Sequence, residues 1–306
     1  MSELERFGLY FVQGLAWGSL YALIALGYTM VYGVLRLINF AHGDVLMVGA
    51  YIALFCITLW HLPLLVAIVL AVAGCALLGV LIERGAYRPL RRQPRLTMLI
   101  TAIGVSLVIE NLAQLFFGAA PRHFPAQIGG RLGEGLEAAS HSLQQSSHIL
   151  ISPQQIFILI TAALLFILLQ LIVGRTRFGR AMRAISFDRE TAALMGINTD
   201  RVISLTFALG SALAAVAGVL AVLGWPKVWP MLGFVPGIKA FIAAVVGGIG
   251  NLTGAVLGGM IMGMAEYMVA GYISSEYKDA IAFALLIIIL ILRPTGLTGR
   301  GMIERA

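Results

Sequence analysis

The sequence predicts an all-α polytopic transmembrane helical bundle of eight to nine spans, folded as a single domain over residues 1–306. Three observations carry this expectation. Hydrophobic residues make up 60% of the chain against 11% charged, and the mean hydropathy is +0.94, a balance that soluble domains do not show. Apolar stretches of about 17–25 residues, the length a helix needs to cross the hydrocarbon core, recur almost end to end. Runs such as AIAFALLIIILIL (280–292) do not alternate apolar with polar residues, which disfavours the strands of an outer-membrane barrel.

The first segment, 7–33, follows a start, MSELERFGLYFVQG, that is not clearly basic, and no small-residue cleavage site comes after it. It therefore reads as a retained anchor rather than a signal peptide. The segment is long enough to hide a bend at Gly27 or Gly33; if it crosses once, the N-terminus is outside. Further spans are expected at 45–60, 64–82, 96–117, 153–173, 201–223, 236–250, 253–273 and 279–292. The stretch GIKAFIAAVVGGIGN (237–251) is short, carries Lys239 and ends in glycines, so that span is either full or a broken, re-entrant helix.

Arginine sets the orientation. Five arginines lie between Arg84 and Arg95, six between Arg175 and Arg201, and three more at Arg293, Arg300 and Arg305. By the positive-inside rule these segments face the cytoplasm, so the net charge of +7 is a topology signal and not a nucleic-acid-binding face. The loop at 118–152 has only Arg122 and Arg131, offset by Glu134 and Glu137, and is read as external. Cys56 and Cys75 sit in apolar stretches and read as small buried hydrophobes. His61, His123, His141 and His148 show no metal-ligand spacing.

Polar residues in an oily chain are the functional candidates. Asn39, His42 and Asp44 precede the second span. Charge counting puts them near the cytoplasmic boundary, with Asp44 as a helix N-cap in a structural turn or, alternatively, as lining of a translocation path. Glu110 and Asn111 either line the conduit or are buried as pairs. Glu266 has no basic residue one turn away, so it meets a partner span or stays protonated. Lys239 and Lys278 are expected to snorkel at the external boundary. Small-residue runs at 210–218 and 254–263 read as close-packing faces. The glycines around Asn251 and Thr253 suggest an unwound segment with either a packing or a pathway role.

The cytoplasmic segment 174–200 contains DRETAALMG. Asp188 can cap a short helix, Thr191 to Met195 supply its small and apolar face, and Gly196 can end it in a left-handed conformation. Such a helix is shaped to dock into a soluble partner, or else lies on lipid headgroups.

Here the chain resembles a known family. ETAALMGI (190–197) resembles the coupling loop of permease subunits of bacterial ABC importers. GVLRLINFAHGD (33–44), ERGAYRPLR (83–91), the stretch 178–203, the stretch 233–259, YKDAIAF (277–283) and RPTGLTG (293–299) are similar to the Liv-type branched-chain amino-acid permease family. The resemblance implies a bacterial inner-membrane importer in which this subunit pairs with a second, similar permease. It also implies two cytoplasmic ATP-binding subunits and a periplasmic substrate-binding protein. It points to Arg183, Asp188, Glu190, Ala193 and Gly196 as the ATPase-coupling surface. No cofactor is implied for this chain, because ATP is used by the separate subunits. No G-x-x-x-x-G-K-[ST] phosphate cradle occurs in the sequence.

Permeases for urea and short amides look similar. A secondary transporter would need Glu266 or Glu110 as its ion-coupling carboxylate. An enzyme would need an acid–base or nucleophile–base constellation that the sequence does not display, so no catalytic residue and no metal site is assigned.

Overall fold

The structure is a computed structural model that describes residues 3–91, 93–125, 128–147 and 151–299. His148, Arg300 and Arg305 lie outside the described residues. The helices follow the apolar segments closely. α1 (Glu3–Leu35) is one unbroken helix through Gly27 and Gly33. It ends at Arg36, which adopts a left-handed conformation with φ 52°. α2 (His42–Thr58) and α3 (Leu64–Ile82) form a hairpin. α3 runs on through a π-helical turn, Glu83–Tyr87, into the one-turn α4 (Arg88–Leu90). α5 (Arg95–Phe117) and α7 (Pro153–Arg175) flank the loop read as external. That loop carries a further helix, α6 (Gly130–Ser147), which packs on α7.

α8 (Arg177–Phe187) and α9 (Arg189–Leu194) make the segment between α7 and α10 (Thr199–Gly224). α11 (Phe234–Gly247), α12 (Leu252–Tyr272) and α13 (Lys278–Leu292), the last preceded by a 3-10 turn at Ser275–Tyr277, complete the bundle. A two-residue antiparallel strap, β1 (Arg122–His123) with β2 (Lys227–Val228), pairs Arg122 with Val228 and His123 with Lys227.

Among the described residues six helices are long and apolar enough to cross a membrane: α1, α3 with its continuation to Leu90, α5, α7, α10 and α12. α2, α11 and α13 are shorter, at 17, 14 and 15 residues. α11 spans about 21 Å at 1.5 Å per residue, well short of a hydrocarbon core of about 30 Å.

α10 is the central post, buried along most of its length and packed on α1, α2 and α3, whereas α5 and α7 are buried over less than a quarter of theirs. α1 and α12 approach through small residues. A Cβ on Gly18 would lie 3.0 Å from the Gly259 carbonyl oxygen, and one on Gly263 would lie 2.3 Å from the Gly18 nitrogen. The run 254–263 is thus a backbone-to-backbone packing face, as its spacing suggests. In the run 210–218, Gly218 is pressed against the Leu46 carbonyl in the same way.

The two short helices α2 and α11 begin side by side. A Cβ on Gly43 would stand 2.4 Å from the Gly233 oxygen, and one on Gly233 would stand 1.8 Å from the Gly43 oxygen. Just before this contact, His42 abuts Gly27, which in turn lies against Gly210. Gly27 lies eight residues before the end of α1 and Gly210 eleven residues after the start of α10. At 1.5 Å per residue, α2 therefore starts about 12–17 Å inward from those helix ends. The expectation of a polar cluster at the boundary is corrected: after Arg36 the chain turns back into the bundle before α2 begins. Charge counting along the sequence cannot register such a return.

Replacing Gly43 or Gly233 by Val should lower the thermal unfolding midpoint in detergent and cut the yield of folded protein, because backbone occupies the added volume. Gly33→Ala, where a Cβ meets nothing within 4 Å, should leave the midpoint unchanged or slightly raised.

Candidate functional site: a carboxylate-lined cavity wired to a docking segment

The polar cluster is built by the turn between α1 and α2. Asn39 is buried, and its Oδ1 accepts a hydrogen bond of 2.7 Å from the Tyr87 hydroxyl on the π-helical turn. His42 is buried with its ring edge-on to Tyr28 at 4.7 Å, and its Nε2 makes no hydrogen bond among the described residues. Asp44 is not the N-cap of α2. That position is Ala41, which supplies no capping side chain. Asp44 instead points across to α5, where the Ser106 hydroxyl donates to its Oδ2 at 2.5 Å. A buried carboxylate needs a donor, and the interior start of α2 puts α5 within reach.

Asp44 and Glu110 interact side chain to side chain. Both line a cavity of about 360 Å³ whose walls include Tyr28, Phe40, Ile103, Leu107, Phe234 and Ile238. Glu110 is 8% exposed, and its Oε1 has no hydrogen-bond partner among the described residues. Asn111 lies on the exposed side of α5 and donates to the Leu107 carbonyl of its own helix, so the cavity receives Glu110 without its neighbour.

Glu266 meets a partner span. Its Oε1 is 2.8 Å from Lys239 Nζ on α11, and its Oε2 accepts from the Tyr21 hydroxyl on α1 at 2.9 Å. Lys239 also reaches Asp279 on α13 at 2.7 Å. Lys239 therefore does not snorkel; it is buried and stitches three helices. Lys278 is half-buried at the start of α13, with its ammonium 3.8 Å from the Tyr267 ring centroid and 5.5 Å from that of Trp17.

Asn251 and Thr253 sit at the turn between α11 and α12. Gly248 and Gly250 have φ of 103° and 97°, and the Asn251 side chain caps α12 by accepting from the Thr253 and Gly254 amides. The unwound segment is thus a compact turn. It is stapled to the chain after α13, where the Leu297 and Thr298 amides donate to Val246 and Gly247. Asn251 and Thr253 border a groove of about 540 Å³ with Arg183 and Ser186 of α8.

The short capped helix at 188–196 forms as its residues suggest. Asp188 caps α9, accepting from the Glu190 amide at 2.9 Å, the Thr191 amide at 3.1 Å and the Thr191 hydroxyl at 2.6 Å. The Thr191 hydroxyl, then the backbone amides, hold the Asp188 carboxyl below the usual carboxylate range. Gly196 ends the helix with φ 83°, Ala192 is buried, and Glu190 and Ala193 are exposed. Three large apolar side chains project outward: Phe187 (90% exposed), Leu194 (87%) and Met195 (79%). Arg183 has a different role from the others, since its guanidinium donates to the Val173 carbonyl and ties α8 to the end of α7.

Sequence reasoning missed the group that joins the docking segment to the cavity. Asp200, at the start of α10, pairs with Arg88 and Arg91 and lies 4.0 Å from Arg189 of α9. Arg91 also pairs with Glu83, which is fully buried and accepts from the Ser204 hydroxyl at 2.5 Å. Glu83 opens the π-helical turn and Tyr87, which holds Asn39, closes it. The available signal was two acidic residues, Glu83 and Asp200, lying against otherwise arginine-rich stretches. Among the described residues no three His, Cys, Asp or Glu side chains come together as a metal site.

A helical bundle with a carboxylate-lined cavity, and with an outward-facing apolar hook where its arginine-rich segments meet, is consistent with a membrane permease. The chain belongs to the family described as branched-chain amino acid transport system / permease component, which matches residues 10–290. It is 45% identical to the high-affinity branched-chain amino acid transport system permease protein LivH of Escherichia coli K12, over 98% of this chain and 99% of that protein. It is 43% identical to BraD of Pseudomonas aeruginosa, a permease protein of the same description, over the whole of both chains. It is 32% identical to the probable branched-chain amino acid transport permease protein LivH of Methanocaldococcus jannaschii, over 92% of this chain and 90% of that protein. These relatives are transport permeases, not enzymes. No solved structure matches the chain.

Lys239→Met should leave Glu266 buried without its cation and destabilise the protein by about 3–5 kcal/mol, the usual result of removing one member of a buried pair. Thermal unfolding in detergent measures this, and the double replacement Lys239→Met with Glu266→Leu should recover part of the loss. Because the Asp188 carboxyl is depressed, its cap is present above the unfolded value and lost as pH falls through the folded one. A spin label at position 194 should therefore become mobile only on the acid side of the ordinary carboxylate range, and Asp188→Asn should abolish that pH dependence.

Proposed function

We propose that this chain is the permease subunit of an ATP-driven, binding-protein-dependent importer of branched-chain amino acids in a bacterial inner membrane. It pairs with a second, similar permease, two cytoplasmic ATP-binding subunits and a periplasmic substrate-binding protein. It crosses the membrane eight or nine times, with α11 as the half-length crossing. The arginine-rich end faces the cytoplasm under the positive-inside rule.

The observation that carries the proposal is the exposed α8–α9 hook, whose Phe187, Leu194 and Met195 are uncovered beside the Asp188 cap. An apolar face this exposed, rimmed by charge, suits a groove on a soluble partner. Closure of the ATPase pair would press on α9. From there contacts run through Arg189 to Asp200 and Arg91, on to Glu83 and the π-helical turn, and then through Tyr87 to Asn39. That turn carries His42 and Asp44, so motion at the hook is delivered to the wall of the cavity. Pairing with Lys239 supports a structural role for Glu266 in place of ion coupling. The relatives' printed substrate and the apolar cavity walls support branched-chain cargo over urea.

In vesicles holding the complete importer, Glu190→Arg and Gly196→Trp should each lower leucine uptake at least tenfold, while the subunit still inserts. Gly196→Trp acts by straining a left-handed backbone position. Co-purification of the ATP-binding subunits at wild-type levels with both variants would sink the docking assignment.

A further inference from the structure

We propose that the cavity between α1, α2, α5 and α11 is a binding site for a primary ammonium group carried on an apolar molecule, held by Asp44 and Glu110. The inference rests on the proposed permease reading and deepens it by naming the chemical group that the conduit recognises.

Two carboxyl groups share one cavity, and none of its lining residues is Lys, Arg or His. Ser106 satisfies one oxygen of Asp44. Glu110 Oε1 is buried with no partner among the described residues, a state that costs free energy until a donor arrives. Facing carboxylates repel each other, and a proton or a cation between them relieves this. A primary ammonium brings three donors and one positive charge, which matches an unpartnered oxygen beside a second carboxylate.

The remaining walls discriminate among cations. Phe40, Ile103, Leu107, Phe234 and Ile238 offer no oxygen ligands for a bare metal ion, whereas an alkyl side chain is at home against them. α2 and α11 also begin at this cavity, through Gly43 and Gly233, and neither start is capped by a side chain. The positive end of α2 lies at the cavity with Asp44 in its first turn.

The decisive measurement is labelling of Glu110 by dicyclohexylcarbodiimide, read by mass spectrometry on the intact importer complex. 3-Methylbutylamine should slow the loss of unmodified Glu110, counted as acylurea plus any amide formed by the amine, at least fivefold, and the neutral isostere 3-methylbutan-1-ol should not. Equal protection by both compounds, protection by neither, or protection by sodium ions matching that of the amine would overturn the proposal. Glu110→Gln should also reduce ATP-driven leucine uptake in vesicles at least tenfold, while Asn111→Ala, on the exposed side of the same helix and outside the cavity, reduces it less than threefold. Wild-type leucine uptake by Glu110→Gln would overturn the proposal too. Failure of the unaltered complex to import leucine would count against the permease's assigned cargo. The labelling experiment reads the ammonium site independently of that result.

Discussion

A membrane interior supplies no water to a buried polar group, so such a group gains from a partner on another helix, and the partnerships formed that way fix how the helices sit. Glu83 reaches Ser204 on α10, Asp44 reaches Ser106 on α5, and Glu266 reaches both Lys239 on α11 and Tyr21 on α1. Apolar surface cannot do this, because lipid tails are as apolar as leucine and give helices no reason to choose one neighbour over another. Small residues then let the chosen neighbours close up, as Gly18 and Gly263 do between α1 and α12. The ionic bonds set the pairing; the glycines set the distance.

The helices were legible in the sequence because their signal is local. An apolar run long enough to cross reads the same whether its neighbours are known or not, and all nine expected segments appear as helices at nearly the expected bounds. The α9 cap was legible for the same reason, since Asp188, Thr191 and Gly196 act within one turn of each other. What could not be read was pairing across the fold. Lys239 and Glu266 are 27 positions apart and Glu83 and Ser204 are 121 apart. No periodicity connects such residues, so Lys239 was expected to snorkel and Glu266 to lack a nearby cation. Depth was misread at Asn39, His42 and Asp44 because counting charges assumes that each segment starts at the boundary. α2 starts inside.

The interior start of α2 gives the site its character. A helix that begins at the bilayer surface exposes its first amides to water, whereas α2 begins beside Gly233 with its first amide bonded to a carbonyl of the preceding turn. α11 does the same from the other side. Two uncapped starts and two carboxyl groups then place both signs of charge around one apolar chamber, an arrangement that two full-length spans would not produce. The cost is local instability of the turn at 36–41. Its restraint comes from outside the turn, through the Tyr87 hydroxyl on Asn39 and the Tyr28 ring against His42.

A conduit must attract its cargo and then release it, so its site has to be incomplete. This one is incomplete in a specific way. Asp44 is already engaged by Ser106, and Glu110 Oε1 has no hydrogen-bond partner among the described residues. An arriving cation gains one strong contact, not a full cage, and the apolar walls add attraction without direction. The group that keeps the Asp44 wall in place is the same turn that ends the polar chain from α9, through Arg91, Glu83 and Tyr87. A small displacement of that chain moves Asp44 relative to Glu110. Since each oxygen–cation bond depends steeply on distance and angle, a shift well below the length of a residue is enough to change how firmly the cargo is held.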